Sequence, residues 1–400
     1  MKTVSEHKKL GFGSLRLPLK SEKQSDIDYE QVKQMVDIYM ENGFEYFEAA
    51  WNYHEFACEN AIKVCLTERY PRESYILTDK MPVQMIKSKA EYEEIFQKQL
   101  VNCGVEYFDY YLLHNINNAK WKMVEELEGF QFLFDLKKRG LVGKIGFSFH
   151  GDAPLLEEIL KKYGDRIDVV QLQINYLDWD SEAIQSRKCY ELARSYNLPI
   201  FVMEPVKGGN LVSSLPPKVK KLFDKQNRGS YANWAIRWVA SLEGVSVVLS
   251  GMSTIEQVKD NVSCLKDFEP MTEKEKQLIS QAVELIKKSY PIQCTQCRYC
   301  VSECPKNIPI PELFSLYNSL KMITTFRGHY THYIYNNIVD GRGKPDECIK
   351  CGKCEKVCSQ NIEIRKNLEK VDREINHPRV SIIKRIYYKI CRMIAVLKKD

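Results

Sequence analysis

The sequence predicts an α/β chain in parts: a (β/α)8 (TIM) barrel over residues 1–285, a small α+β domain organised by cysteines over 286–375, and a basic amphipathic helix over 376–400. Three observations carry this. Eight short apolar runs alternate with amphipathic stretches through the first part, the pattern of parallel strands joined by crossover helices. Polar residues end several of those runs, where a barrel of this kind builds its sites. Two cysteine runs of one spacing, C-x2-C-x2-C-x3-C, occupy the second part.

The strand-like runs are Leu10–Gly13, Phe44–Phe47, Tyr75–Thr78, Phe108–Leu113, Lys144–Phe147, Asp168–Ile174, Ile200–Met203 and Val245–Leu249. The first amphipathic stretch, Ile27 to Met40, sets Val32, Met35, Val36 and Tyr39 on one helical face. Ile95–Leu100, Val124–Leu136, Leu155–Tyr163, Ile184–Tyr196 and Tyr231–Ala240 follow the same pattern. Periodicity alone leaves a doubly wound sheet open; the polar strand ends favour the barrel. Thr272 and Glu275 form a capping box for a helix to about Ser289, which leads into the first cysteine run. Between the runs, Leu313, Leu316, Leu320 and Ile323 predict a helix or two within Pro311–Tyr335.

At 400 residues and 44% hydrophobic, the chain suits a two-domain globular protein. No apolar run resembles a signal peptide or a membrane span. The net charge of +6 is uneven: residues 286–400 hold 22 Lys and Arg against 11 Asp and Glu, a net +11, leaving −5 on the rest. No nucleic-acid-binding motif accompanies the basic end, and a nucleic-acid role is not expected. The tail stripe Ile383, Ile386, Ile390, Ile394 and Leu397, interleaved with Arg385, Lys389 and Arg392, leaves three placements open: on the protein's own surface, on a partner, or as a peripheral contact on an anionic membrane. The first is favoured.

Of 14 cysteines, eight form the runs Cys294, Cys297, Cys300, Cys304 and Cys348, Cys351, Cys354, Cys358. Soft thiolates at this spacing wrap a loop around a cubane, and the fourth cysteine is passed to a second cluster. Structural zinc or a disulfide framework would not explain a four-cysteine run made twice. Two [4Fe–4S] clusters are therefore expected, and the basic residues nearby compensate their negative charge. One departure stands: Pro305 follows Cys304, but Ser359 follows Cys358. The other cysteines (Cys58, Cys65, Cys103, Cys189, Cys264, Cys391) are scattered; free thiols beside oxygen-sensitive clusters suit a reducing cytoplasm.

The runs resemble a two-cluster ferredoxin of the bacterial type. That resemblance implies that Cys294, Cys297, Cys300 and Cys358 hold one cluster, and Cys348, Cys351, Cys354 and Cys304 the other.

In the barrel, Glu48, Lys80 and His114 end successive strand-like runs, and Tyr53 follows Glu48 in its loop. A tyrosine is ordinarily too weak an acid for proton transfer near pH 7, and a lysine beside it stabilises the phenolate. A carboxylate to hold the lysine and a histidine to bind a substrate oxygen complete a carbonyl-reduction site.

With Gly11-Phe-Gly13, Ile145-Gly-Phe-Ser148, Gln173-Ile-Asn-Tyr176, Pro205-Val-Lys-Gly-Gly209 and Ser250-Gly-Met-Ser-Thr254, these residues resemble the aldo-keto reductase superfamily. Tyr53-His54 and Leu113-His-Asn-Ile-Asn117 are similar to its branch with a C-terminal two-cluster [4Fe–4S] domain. The resemblance covers about residues 8–265 and implies NAD(P)-dependent hydride transfer. Tyr53 would be the proton donor, Lys80 would tune it, and His114 would orient the carbonyl. The family's fourth member is an Asp; here it is Glu48. Ser148 and Gln173 match the positions that hold the carboxamide, and Met203 the stacking position. Gly251, Ser253 and Thr254 match the phosphate-binding turn, and Asn261 the adenine contact. Thr254 and Gln257 stand where NADP enzymes often present Lys and Arg, which weakens an NADP preference without establishing NAD. Phe149 replaces a frequent Asn.

A nicotinamide gives two electrons at once and a cluster accepts one, so a flavin is the usual adapter, though no flavin motif is assigned. Three readings follow, in order. The barrel handles a small carbonyl or alcohol while the clusters relay electrons to a redox partner protein. Or it is a carbonyl reductase with structural clusters. Or the barrel is impaired, with Glu48 and Phe149 as the hints, and the chain is an electron-carrying or scaffold subunit.

Overall fold

The computed structural model describes all residues except 5–7, 119, 181–183, 290, 323–334, 336–337, 340 and 376–400. The amphipathic tail thus lies outside the described residues. The chain divides into two compact units, residues 1–284 and 285–400.

In the first unit eight parallel strands follow one another in chain order and close into a barrel. They are β1 (Leu10–Gly13), β2 (Tyr46–Glu48), β3 (Ile76–Met81), β4 (Phe108–Ile116), β5 (Val142–Phe149), β6 (Val169–Gln173), β7 (Ile200–Met203) and β8 (Val245–Gly251). Closure is made by β1 against β8, with Phe12 opposite Ser250 and Gly13 opposite Gly251. The two-residue alternation of a strand sends one set of side chains inward. Tyr46, Ile76, Tyr110, Leu112, Val169, Phe201, Val247 and Leu249 pack as one apolar cluster. Further along the same alternation stand Glu48, Lys80, His114, Ser148, Gln171 and Gln173, so the inward rows turn polar at the C-terminal ends.

Helices Tyr29–Glu41, Lys89–Cys103, Ala153–Tyr163, Ser186–Ser195, Tyr231–Ala240 and Ile255–Lys266 surround the barrel. Asp28, Asp152, Ser230 and Thr254 cap four of them by accepting a backbone N–H three residues on. The stretch expected as one helix over Val124–Leu136 is two, Trp121–Glu126 and Gly129–Lys138, because Glu128 takes a left-handed conformation with φ 57°. Strand β4 runs three residues beyond the apolar run that announced it, and its register shifts between Leu113 and Ile116. The Thr272–Glu275 capping box is present and opens the helix Glu273–Lys287.

In the second unit each cysteine run threads a short helix, Tyr299–Ser302 and Lys353–Lys356, and is followed by a longer one, Ile310–Met322 and Ile364–Ile375. Among the described residues the unit holds no strand. Its two halves repeat with an offset of 54 residues, from Cys294 to Cys348. The backbone keeps the repeat, because left-handed residues recur at the same places: Gln296 and Lys350, Arg298 and Gly352, Asn307 and Asn361. Ile292, Ile308, Ile310, Leu313, Phe314, Ile364, Leu368 and Val371 form the core between the halves.

Gly146 on β5 is required by close approach. A Cβ there would lie 2.0 Å from the Val169 carbonyl oxygen and 2.8 Å from its Cγ1. Gly146→Ala is expected to destabilise the barrel by about 3 kcal/mol through overpacking against a backbone that cannot swing aside; the lowered thermal midpoint of the barrel's unfolding measures it.

Candidate active site and thiol-lined cavities

At the polar end of the barrel, Lys80 is almost fully buried and its charge must be met locally. Its Nζ lies 2.6 Å from Glu48 Oε1, 3.0 Å from Tyr53 Oη and 3.4 Å from Gln171 Oε1. Gln171 Nε2 donates to the other Glu48 oxygen, so β2, β3 and β6 are tied through one polar knot. The longer Glu48 reaches the lysine. His114 stands edge-on to Tyr53, with ring centroids 5.7 Å apart. The structure thus brings Glu48, Tyr53, Lys80 and His114 together.

The electrostatics differ from the expectation of a lysine-softened phenol. Burial pushes the Tyr53 hydroxyl well above the ordinary tyrosine value, and the Glu48 carboxylate pushes the same way. The Lys80 ammonium is paired with Glu48 at the same time as it meets the Tyr53 hydroxyl. Burial, then Lys80 and Lys120, hold His114 well below the usual imidazole value. His150 is brought down to about 3 by burial and the same two lysines.

Behind Lys80 the outward face of β3 is also polar. Asp79 accepts the Lys80 backbone N–H at 2.7 Å, and Gln99 Nε2 donates to the Lys80 carbonyl at 3.1 Å and to Glu59 at 3.0 Å. Burial, then Glu59, raises the Asp79 carboxyl well above the carboxylate range, so these two buried acids do not both ionise. The loop after β2 is held as firmly. His54, Glu55 and Phe56 all have φ between 52° and 72°, and the His54 ring accepts from Leu17 N–H and meets the Gln24 carbonyl, pinning that strained turn.

Several buried polar atoms at this end have no partner among the described residues: His114 Nδ1, His150 Nδ1, Gln173 Nε2, Asn52 Oδ1 and Glu204 Oε2. Ser148 Oγ accepts the Asn115 N–H at 2.7 Å. Met203 lies against the apolar cluster inside the barrel. Phe149 points outward, packs on Phe147 and is buried in the outer core, so it does not enter the mouth. Of the two hints of an impaired barrel, Glu48 pairs with Lys80 and Phe149 lies in the outer core.

The last loop gathers Gly251, Ser253, Thr254 and Gln257 at the start of the helix Ile255–Lys266. Ser253 N–H donates to Gln257 Oε1 at 2.7 Å, and Thr254 Oγ1 accepts Gln257 N–H. Asn261 is buried and its Nδ2 donates to Ser250 Oγ at 2.7 Å. Arg16 joins this loop, since Ser253 Oγ donates to its carbonyl at 2.8 Å and its side chain packs beside Gly251. Sequence reasoning missed Arg16, Asn52, His150 and Glu204. The pairing of β1 with β8 places Arg16, and no linear spacing signals it.

In the second unit the eight cysteines line two cavities. Cys294, Cys297, Cys300 and Cys358 stand around one, with Thr295, Arg298 and Phe314 among its walls. Cys304, Cys348, Cys351 and Cys354 stand around the other, with Lys306 and Arg365. Among the described residues no three Cys, His, Asp or Glu are gathered as they would be about a single metal ion; the thiols surround space instead. Burial and the neighbouring sulfurs push Cys300 up, and burial and Glu355 push Cys354 to about 11. Four thiolates in such a space need a strongly cationic centre, which fits an iron cluster.

Residues 9–284 match the aldo/keto reductase family, and residues 293–363 match the 4Fe-4S dicluster domain. An aldo-keto reductase from Bacillus halodurans, in its holo form, is similar in structure with a TM-score of 0.53 and 23% identity, over 70% of this chain and 92% of that one. One from Klebsiella pneumoniae, in complex with NADPH, gives 0.55 and 17%, over 70% and 95%. A third, from a Medee basin deep-sea metagenome library, gives 0.54 and 18%, over 70% and 92%. No curated protein matches the chain.

The lowered imidazoles give a pH prediction. An unfolded His takes up a proton below about 6.5, whereas folded His150 does so only near 3. The unfolded state therefore binds more protons between these values, and stability is expected to fall as pH drops through that interval. NMR of the ring nitrogens of His114 and His150 should show neutral rings across about pH 5–8.

Proposed function

The chain belongs to the aldo/keto reductase family and carries a 4Fe-4S dicluster domain, and on that premise we propose that it interconverts a small carbonyl compound and its alcohol with NAD(P), while two [4Fe–4S] clusters carry electrons to or from a redox partner protein. The observation that carries the barrel half is the contact chain Glu48–Lys80–Tyr53 beside His114. When bound, the nicotinamide supplies the hydride and the clusters supply one-electron transfer.

The chain's own residues do the rest. Neutral His114 offers a ring nitrogen to orient the carbonyl oxygen. Tyr53 keeps its proton at neutral pH and delivers it to that oxygen as negative charge develops there. Lys80, held by Glu48 and Gln171, fixes the Tyr53 hydroxyl.

The unpartnered Gln173 Nε2, with Ser148 beside it in the inward rows, fits a carboxamide. The Thr254-capped helix start, with Ser253 and Gly251, fits a pyrophosphate, and Met203 and Asn261 would flank the two rings. The Klebsiella relative's complex with NADPH supports a phosphorylated nucleotide, while Thr254 and Gln257 leave NAD open. Cys294, Cys297, Cys300 and Cys358 would hold one cluster, and Cys304, Cys348, Cys351 and Cys354 the other. A flavin has no support among these residues. The mismatch between a two-electron hydride and one-electron clusters favours one alternative, a carbonyl reductase whose clusters only hold the second unit together.

Tyr53→Phe, assayed on the anaerobically reconstituted full chain with NADPH and NADH against a panel of small aldehydes and ketones, is expected to lower kcat by about 10²–10⁴-fold, with iron and sulfide unchanged. Undiminished turnover in that variant would contradict the assignment.

A further inference from the structure

The two halves of the second unit are not chemically equivalent, and the difference is Ser359. By the offset of 54 residues, Ser359 corresponds to Pro305. Its Oγ lies 3.7 Å from Cys297 Sγ. Gln360 Nε2 in turn donates to Ser359 Oγ at 3.5 Å. The same repeat carries Cys297 onto Cys351 and Ser359 onto Pro305, and those two residues both line the other cavity. A pyrrolidine ring there has no proton to offer.

We propose that Ser359 is a tuning residue: its hydroxyl donates to the Cys297 sulfur and raises the reduction potential of the cluster held by Cys294, Cys297, Cys300 and Cys358, leaving the other cluster untouched. This rests on the ligand sets proposed above. In the free chain either atom can donate, but a sulfur bound to iron carries no proton, so the direction is then fixed as O–H to S. With Gln360 filling an oxygen lone pair, the hydroxyl proton is left for the sulfur, and the donor chain polarises the bond. One electron added to a cluster spreads over its sulfurs. A hydrogen bond to a sulfur stabilises that added charge, which raises the potential. The departure from the Cys-Pro repeat thus replaces a ring without a donor by a hydroxyl, at one cluster only.

The test is an EPR-monitored redox titration of the anaerobically reconstituted full chain. The wild type should bind about eight iron and eight sulfide per chain and show two midpoints. In Ser359→Ala one midpoint should fall, its one-electron reduction equilibrium weakening by about tenfold, or about 59 mV, while the other stays. Ser359→Thr, which keeps the hydroxyl, should restore it. Ser359→Pro, which copies the first half, should behave as Ser359→Ala and serves as the second variant should alanine disturb assembly. Unchanged midpoints in a fully loaded Ser359→Ala or Ser359→Pro chain would overturn the proposal, as would an equal shift of both clusters. A wild type that binds well short of eight irons would instead overturn the ligand sets themselves.

Discussion

The buried ion pair between Lys80 and Glu48 is the constraint on which the barrel's polar end depends. A lone ammonium at that depth is not tolerable, so the carboxylate must arrive at bonding distance. Glu48 does so from the neighbouring strand, and Gln171 closes the group from across the barrel. Tyr53 is then fixed by the one Lys80 proton aimed at it. Burial and the Glu48 carboxylate both raise the Tyr53 hydroxyl above the ordinary tyrosine value. The site therefore combines a tyrosine hydroxyl raised above its ordinary value with a histidine lowered below its own, both by burial first and by charge second.

The second unit solves a parallel problem with softer atoms. Eight thiols sit around two cavities, and each half uses left-handed residues at matching places to curl its loop. Only Gly352 among these pairs carries no side chain; Arg298 takes the same conformation at its own steric cost and forms an ion pair with Glu312. Each cavity draws its fourth cysteine from the other run, Cys358 for one and Cys304 for the other, so neither set of thiols is complete without both halves.

Much of this was legible in the sequence, for reasons that differ by residue. Barrel strands are short, apolar and regularly spaced, so Leu10–Gly13 and Ile200–Met203 were read to the residue. Strand β2 was placed two residues early, because Phe44 belongs to the outer core rather than to the ladder. The break at Glu128 could not be read, since no glycine or proline marks that left-handed residue; Gly129 follows it. Glu48, Lys80 and His114 were visible because they end strands. Their charges were not, because whether Lys80 acidifies Tyr53 depends on how close Glu48 comes. Arg16 and Glu204 were missed because only closure of the barrel and the turn after β7 bring them to the mouth.

The most direct test of the account is to add NADPH, then NADH, to the anaerobic full chain and follow the cluster absorbance and EPR signal with and without a carbonyl substrate. One nucleotide should bleach the clusters, and the carbonyl should compete for its electrons. Nucleotide consumed by the carbonyl while the clusters stay silent would contradict the relay and leave a reductase with structural clusters; no nucleotide binding at all would contradict the barrel's assignment as well.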